Sequence, residues 1–449
     1  MPEQGKYKII PGVEITGIHS SGRAWGYHGN KKIYLDAAVP GDVVDVKVPK
    51  RYRGFLAGTI ERIVHPSPHR IVPFCKHFAV CGGCNWMPVR YEYQLELKRR
   101  ILLEAFQKYE IEISSLPTVY SSPQTLFFRN RCEFAFSAAG NVVGFHPAGN
   151  PHQVFETEEC FLQPEPSMSI VRKIKETALA MAIPFYHPEE KKEGLRKLVL
   201  RMASGGDLMV LLGGTGIPAE TLKRMAKEVH SVFPQIGSVL YEEMMADDRS
   251  AAIQLLSGYR EVWEETANGL RFFISPHTFY QPHSVQAEKM FGRVVSLLDL
   301  KGNERIIDLY CGAGTFTLHV ARLAAEVIGI DGSTSAINDA IRNAEVNGIH
   351  HVKFIQGDIL TTFTPTFLQR CFSPDVIILD PPRAGTLMEI KKNIVAARPA
   401  KIVYISCNPV SLAWDMKFFI PYYRITAIEM YDQYPHTHHV ETLVMLERR

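Results

Sequence analysis

Hydrophobic and polar positions alternate along the first 66 residues. The alternating stretches are 12–18, 32–35, 43–48 and 56–60, separated by Gly22, Gly26 and Pro40-Gly41-Asp42. A period of two broken by glycine and Pro-Gly predicts short strands closing into a small all-β barrel. Residues 64–90 interrupt the pattern with Pro, His and Cys. From Tyr93 to Tyr109 a helical period takes over, and Leu95, Ile101, Leu102, Ala105 and Phe106 can share a face. Residues 118–280 mix helices with strands such as 196–202 and 208–213. From about residue 285, helices and strands alternate regularly, which predicts a parallel sheet. The fold class is multi-domain α/β. An OB-like β-barrel spans 1–66, a central α+β domain 67–280 and a Rossmann-like domain 281–449.

The chain has 449 residues, 46% hydrophobic and 22% charged, too apolar for disorder to be its main state. It holds no apolar run of about 18 residues, so no membrane span is expected. The start, Met1-Pro2-Glu3-Gln4-Gly5-Lys6, lacks the apolar core of a signal peptide, and the expected location is the cytoplasm. Eight cysteines in a reducing compartment point to metal binding or catalysis, not to a disulfide framework. The net charge of +3 is unevenly spread. Residues 1–110 carry 17 Lys and Arg against 10 Asp and Glu; the rest carries 33 against 37. The basic N-terminal quarter suits a polyanion, and Lys50-Arg51-Tyr52-Arg53 would supply phosphate contacts and a stacking ring on a barrel.

Cys75, Cys81 and Cys84 form C-x5-C-x2-C, with Gly82-Gly83 between the last two. Glycines beside ligands let backbone wrap closely around a metal centre. A fourth thiolate would come from Cys132, Cys160, Cys311, Cys371 or Cys407, and Cys160 is the best candidate. Zinc favours paired knuckles. Three cysteines in one loop plus one distant are closer to [4Fe–4S] ligation.

In the C-terminal region each strand ends in polar chemistry. Strand 305–310 runs into Cys311-Gly312-Ala313-Gly314-Thr315, strand 327–330 into Asp331, and strand 352–355 ends near Asp358. Strand 376–379 ends in Asp380-Pro381-Pro382-Arg383, and strand 401–405 in Ser406-Cys407-Asn408-Pro409. Open α/β sheets bind ligands at these ends, and an acid after the second strand suits a ribose hydroxyl pair. The third glycine of a dinucleotide loop is missing, with Leu318-His319 near its place. A single-nucleoside cofactor, S-adenosylmethionine, is therefore favoured. A thiol at Cys407 and an acid at Glu441 beside a methyl donor suit methylation of a pyrimidine at C5.

With these residues assembled, the chain resembles the RNA 5-methyluridine (uracil-C5) methyltransferase family. It is most similar to the members that modify 23S ribosomal RNA and carry a TRAM barrel and a [4Fe–4S] cluster. The resemblance runs through P-G-D-x-V at 40–44, C-x5-C-G-G-C at 75–84, F-R-N-R at 128–131, L-R-K-L-V-L-R at 195–201 and F-Y-Q at 279–281. It continues with D-L-Y-C-G-A-G-T at 308–315, D-P-P-R-A-G at 380–385, S-C-N-P at 406–409 and H-V-E at 439–441. It implies that Cys75, Cys81, Cys84 and Cys160 hold the cluster. Gln281, Tyr310, Gly312, Gly314, Thr315, Asp331, Asp358 and Asp380 would line the S-adenosylmethionine site. Cys407 would be the nucleophile and Glu441 the base. The helix near 93–116 would pack on the catalytic domain, and the cluster would be structural or RNA-positioning. The implied partner is RNA, 23S rRNA first and tRNA as the alternative, with no membrane and no obligate protein partner. Three departures stand out: Asp331 for a usual Glu, His283 in Gln281-Pro282-His283 for a usual Asn, and Trp414 for a common Arg. Two other classes compete. An amino-methyltransferase would use D-P-P, but Arg383 in place of an aromatic argues against it. A non-enzymatic iron–sulfur RNA-binding protein would not need the intact strand-end residues.

Overall fold

The computed structural model describes residues 7–49, 56–187, 193–245, 250–258 and 262–449. The basic run at 50–53 lies outside them. The chain forms two compact units. One comprises residues 1–122, 382–386 and 405–444, and the other 123–381, 387–404 and 445–449.

In the first unit β1 (Tyr7–Ile18), β2 (Ala24–His28), β3 (Lys31–Leu35), β4 (Val43–Pro49) and β5 (Leu56–His65) close a barrel in the order β1-β2-β3-β5-β4. The inward positions are the alternating apolar ones: Ile10, Val13, Ile15, Ile33, Leu35, Val44, Val46 and Val48 are buried. The pattern understated β1 and β5 and missed β2. In β2, Ala24 and Gly26 replace the branched residues that mark a strand. Gly26 is required there, because a Cβ would stand 2.2 Å from the Glu14 carbonyl oxygen.

The Pro-Gly-Asp turn closes the barrel through Asp42. Its carboxylate, fully buried, accepts from the backbone of Val39 (2.7 Å) and Ser67 (2.9 Å) and pairs with Arg70 at 2.6 Å. The barrel core continues into Trp86, Val89, Leu97 and Ile101. The last two belong to α1 (Tyr91–Lys108), which packs against helix Pro409–Phe419. The inward face of α1 includes Gln94 and Lys98 beside Leu97, Ile101, Leu102, Ala105 and Phe106, whereas Leu95 is partly exposed. The helix stops at Lys108, short of 116, and Glu110 adopts the left-handed φ of +58°. In the same unit strand Tyr423–Tyr431 pairs in parallel with Thr118–Tyr120.

The second unit holds two layered assemblies. A seven-stranded sheet runs Ser250–Gly258, Ile236–Met244, Leu208–Thr215, Gly194–Met202, Arg131–Ser137, Val142–Phe145, Phe155–Glu156. Apolar residues of helices Ser167–Ala180 and Ala219–Val232 share its core. The strands read at 196–202 and 208–213 are its centre. Five parallel strands follow in the spatial order Val352–Gln356, Glu326–Asp331, Arg305–Leu309, Val376–Leu379, Lys401–Ser406. The order turns back at Arg305–Leu309, creating the switch point at which such sheets bind ligands. No helix among the described residues is long and apolar enough to cross a membrane.

Asp42→Ala leaves the Arg70 guanidinium and two backbone N–H groups without their acceptor. The expected loss is about 3–5 kcal/mol of stability. Urea unfolding of the variant would measure it; a loss under about 1 kcal/mol, the range of an exposed pair, would contradict this role.

Candidate active site

In the second unit the glycine turn is a strained strand-to-helix junction. Tyr310 takes a φ of +66°, Gly312 +54° and Gly314 +81°. Left-handed backbone at a residue with a Cβ is unfavourable, so Tyr310 depends on its surroundings, including its N–H bond to the Ile330 carbonyl at 2.9 Å. Gly312 faces open space, with nothing within 4 Å of a built Cβ. Gly314 caps helix Thr315–Ala321, and a Cβ there would press on Phe354 at 3.1 Å. Where a dinucleotide loop has its third glycine, His319 is buried. Its Nδ1 lies 2.7 Å from the Thr315 carbonyl, and burial pushes its pKa down to about 4.

The acids at the strand ends have different roles. Asp331 accepts from the Gly312 N–H (3.0 Å) and the Ser333 N–H (2.7 Å), one bond to each oxygen. A second lone pair on each oxygen is left for a diol. Its shorter side chain, compared with Glu, brings the acid onto the glycine turn itself. Asp358 caps a short helix by accepting from Leu360 N–H at 2.8 Å. Asp380 and Asp308 are both pushed up to about 7 by burial, and in Asp308 the neighbouring Asp380 and Asp331 add to the shift. Thr317 Oγ1 donates to Asp308 Oδ2 at 2.6 Å, whereas Oδ1 has no hydrogen-bond partner among the described residues.

Gln281 is buried, its carbonyl held by Asn130 at 2.8 Å, and its side-chain oxygen also lacks such a partner. An open glycine turn, a held acid and a buried amide oxygen awaiting a donor fit a nucleoside with a ribose diol and polar edge. His283, the departure beside Gln281, is structural. It stacks on Phe128 at 4.7 Å, and its Nε2 lies 3.1 Å from the Gln124 carbonyl.

The nucleophile and base candidates lie in the first unit. Cys407 follows strand Lys401–Ser406 and is half-buried. The turn around it is tied on both sides: Ser406 Oγ accepts from Asn408 N–H at 3.1 Å, and Asn408 caps the next helix by accepting from Val410 N–H. Asn408 Nδ2 and Ser411 Oγ both donate to the Arg383 carbonyl, at 2.9 and 3.0 Å. The D-P-P-R loop is thereby fastened to the Cys407 turn. Asp415, buried, holds the same loop through the Thr386 N–H at 2.8 Å. Glu441 is buried at 3% exposure, and Tyr434 Oη donates to its Oε1 at 3.2 Å. His438 is pushed down to about 4 by burial and the Arg383 and Lys98 cations, so it is neutral at neutral pH. Trp414 is exposed and meets Tyr109 edge-on at 5.6 Å.

Cys75, Cys81, Cys84 and Cys160 are all partly exposed. Among the described residues, no three or more His, Cys, Asp or Glu side chains form a metal-ligand group. Cys160 has Cys132 as a charge neighbour, and burial pushes the Cys132 thiol well above its ordinary range. Sequence reasoning missed the residues that hold the Glu441 segment: Trp86, Tyr91, Gln94, Lys98 and Asp432. One signal was available. Tyr91, Gln94 and Lys98 follow helical spacing and occupy the inward face of α1.

The pH dependence follows from Asp308 and Asp380. A carboxyl raised to about 7 holds its proton more tightly in the folded chain than in the unfolded one. That stabilisation is complete below about pH 4 and is lost as the pH rises through about 7. Denaturant unfolding between about pH 5 and about pH 8 should show stability falling with pH, and Asp308→Asn should flatten the slope. An unchanged slope in the variant would sink this account of Asp308.

Residues 12–60 match the TRAM domain, and residues 261–449 match the family described as tRNA (Uracil-5-)-methyltransferase. An uncharacterized RNA methyltransferase of Bacteroides thetaiotaomicron is 33% identical over 453 residues, covering 96% of this chain and 100% of that protein. One of Porphyromonas gingivalis is 35% identical, covering 97% of this chain and 99% of that protein. Among solved structures, the Pyrococcus abyssi tRNA (uracil-54, C5)-methyltransferase in complex with S-adenosyl-L-homocysteine aligns with a TM-score of 0.77 at 25% identity. It covers 97% of this chain and 100% of that one. With its closed N-terminal barrel and its C-terminal S-adenosylmethionine-dependent fold, the chain belongs to the RNA uracil-C5 methyltransferase family.

Proposed function

We propose that this enzyme methylates C5 of a specific uridine in 23S rRNA, with Cys407 as nucleophile and Glu441 as base. The observation that carries the reading is the pair itself. A half-buried thiol stands on a tied strand-end turn, and a buried carboxylate is oriented by Tyr434.

C5 of uracil is a poor nucleophile. The Cys407 thiolate adds to C6, and the electrons of the C5–C6 bond move to give an enolate. When bound, S-adenosylmethionine supplies an electrophilic methyl group. C5 would take that methyl group, the electron pair of the broken S–CH3 bond staying with the donor's sulfur. Glu441 then removes the C5 proton, the C6–S bond breaks, and the thiolate is restored. Gln281, Tyr310, Gly312, Gly314, Thr315, Asp331, Asp358 and Asp380 are the proposed cofactor contacts. A base inside a stack cannot reach a thiol in this way, so the target is flipped out of a loop or bulge.

The barrel and the cysteine loop favour ribosomal RNA as substrate. Residues 1–66 and 67–280 are assigned to RNA binding and 281–449 to catalysis, in a cytoplasmic enzyme. The [4Fe–4S] cluster on Cys75, Cys81, Cys84 and Cys160 belongs to the same proposal. The loop spacing and Gly82-Gly83 support it, and no chemical step passes through it. Iron and acid-labile sulfide measured in anaerobically purified protein test it. The tRNA reading is favoured by the similarity to the Pyrococcus abyssi tRNA (uracil-54, C5)-methyltransferase.

Cys407→Ala should abolish both turnover and the covalent RNA adduct, while Glu441→Gln should form the adduct and fail to resolve it. Wild-type methylation by Cys407→Ala would overturn the mechanism. Mapping 5-methyluridine in 23S rRNA and tRNA from a strain lacking the gene decides the substrate: loss from tRNA alone would overturn the ribosomal assignment.

A further inference from the structure

Tyr91, Gln94 and Lys98 stand three and four positions apart on α1 and therefore share one face. Gln94 and Lys98 are fully buried. Together the three grip successive points of a single segment, residues 432–436. Tyr91 Oη donates to Asp432 Oδ2 at 2.9 Å. Lys98 Nζ donates to Asp432 Oδ1 at 2.6 Å and to the Tyr434 carbonyl at 3.1 Å. Gln94 Oε1 accepts from the His436 N–H at 2.8 Å, and its Nε2 donates to the carbonyls of Trp86 (3.2 Å) and Val89 (2.8 Å).

His436 is gripped from its other side as well. Trp86 N–H donates to its carbonyl at 2.9 Å, and Phe74 meets its ring edge-on at 5.4 Å. His436 has a φ of +66°, a conformation that a residue with a Cβ does not choose for itself. External contacts must hold it there. The gripped segment ends on the base, because Tyr434, whose carbonyl Lys98 holds, donates its hydroxyl to Glu441 Oε1 at 3.2 Å.

We propose that Gln94 is a positioning residue for removal of the C5 proton: through His436 and the segment 432–436 it sets where Glu441 stands. This rests on the assignment of Glu441 as the base. The Cys407 turn is fastened by a different set of bonds, within 406–411 and to Arg383. Between the two sets Arg383 Nη2 approaches His439 Nδ1 at 3.4 Å, a weak contact. Loosening 432–436 therefore acts on the step that needs Glu441 and spares the step that needs Cys407. Phe74 and Trp86 flank the Cys75–Cys84 loop, so that loop is anchored to the same histidine. An order in the cysteine loop would reach the base by this route.

The test uses full-length enzyme, S-adenosylmethionine and RNA in two forms. RNA carrying 5-fluorouridine traps the Cys407 adduct, because fluorine cannot leave as a proton, and reports adduct formation. RNA tritiated at uridine C5 reports proton removal. Gln94→Leu should form the fluorouridine adduct at close to the wild-type rate. Its tritium release should fall by about 100-fold, the scale of a misplaced catalytic group, with adduct accumulating on ordinary RNA. Gln94→Glu keeps an acceptor for the His436 N–H and should recover much of that loss. Equal slowing of both steps, or unchanged tritium release, overturns the proposal. If Gln94→Leu fails to fold, Gln94→Glu is scored by the same two readouts. Glu441→Gln separates the two claims. If it releases tritium at the wild-type rate, the base assignment falls; if it stalls while Gln94→Leu does not, only the positioning role falls.

Discussion

The buried pair of Lys98 and Asp432 is the constraint around which the segment 432–436 is organised. Their side chains are both fully buried and meet at 2.6 Å across 334 residues of sequence. Removing two charges from water costs several kcal/mol per ion, repaid only when the geometry is good and the remaining donors and acceptors are satisfied. Here they are. Asp432 also accepts from Tyr91 Oη and from the Tyr434 N–H at 3.1 Å, and Lys98 also donates to the Tyr434 carbonyl. Burial pushes Lys98 below the ordinary lysine range, and the aspartate opposes that shift. An apolar contact at this place would tolerate sliding of α1 along the segment. A charge pair with fixed directions does not, so residues 432–436 have one register against α1.

Charge is handled differently at the carboxyl ends of the parallel strands. Asp308, Asp331 and Asp380 are close enough to raise the carboxyl of Asp308. Like charges crowded in a low-dielectric site cannot all ionise at little cost. Asp331 is served by two backbone N–H groups, while Asp308 has Thr317 alone among the described residues. Asp331 on the glycine turn keeps lone pairs that can accept from hydroxyls, and burial suits Asp308 beneath it to stay protonated near neutrality.

The barrel, the central strands and the αβ repeat were legible because their apolar positions follow periods of two and 3.6, which depend on local backbone geometry alone. The strand-end residues were legible for a related reason, since a parallel strand read from its apolar run has its ligand-facing end at the next polar residue. Asp331 and the Cys407 turn were placed at strand ends in this way. The failures have one cause. β2 was missed because Gly26 is dictated by a backbone approach from β1, which no local pattern encodes. Leu95 was assigned to the core where Gln94 and Lys98 stand. Polar residues on an inward face are readable only when their partners are known, and those partners, Asp432 and His436, lie more than 330 positions away. The sequence by itself determined most of the elements and the family, and it nominated Cys407 and Glu441 as the reactive groups. Tertiary structure alone decided which buried polar groups are satisfied, and so which acids hold protons and what orients Glu441, because hydrogen bonds and ion pairs depend on distances between residues remote in the chain.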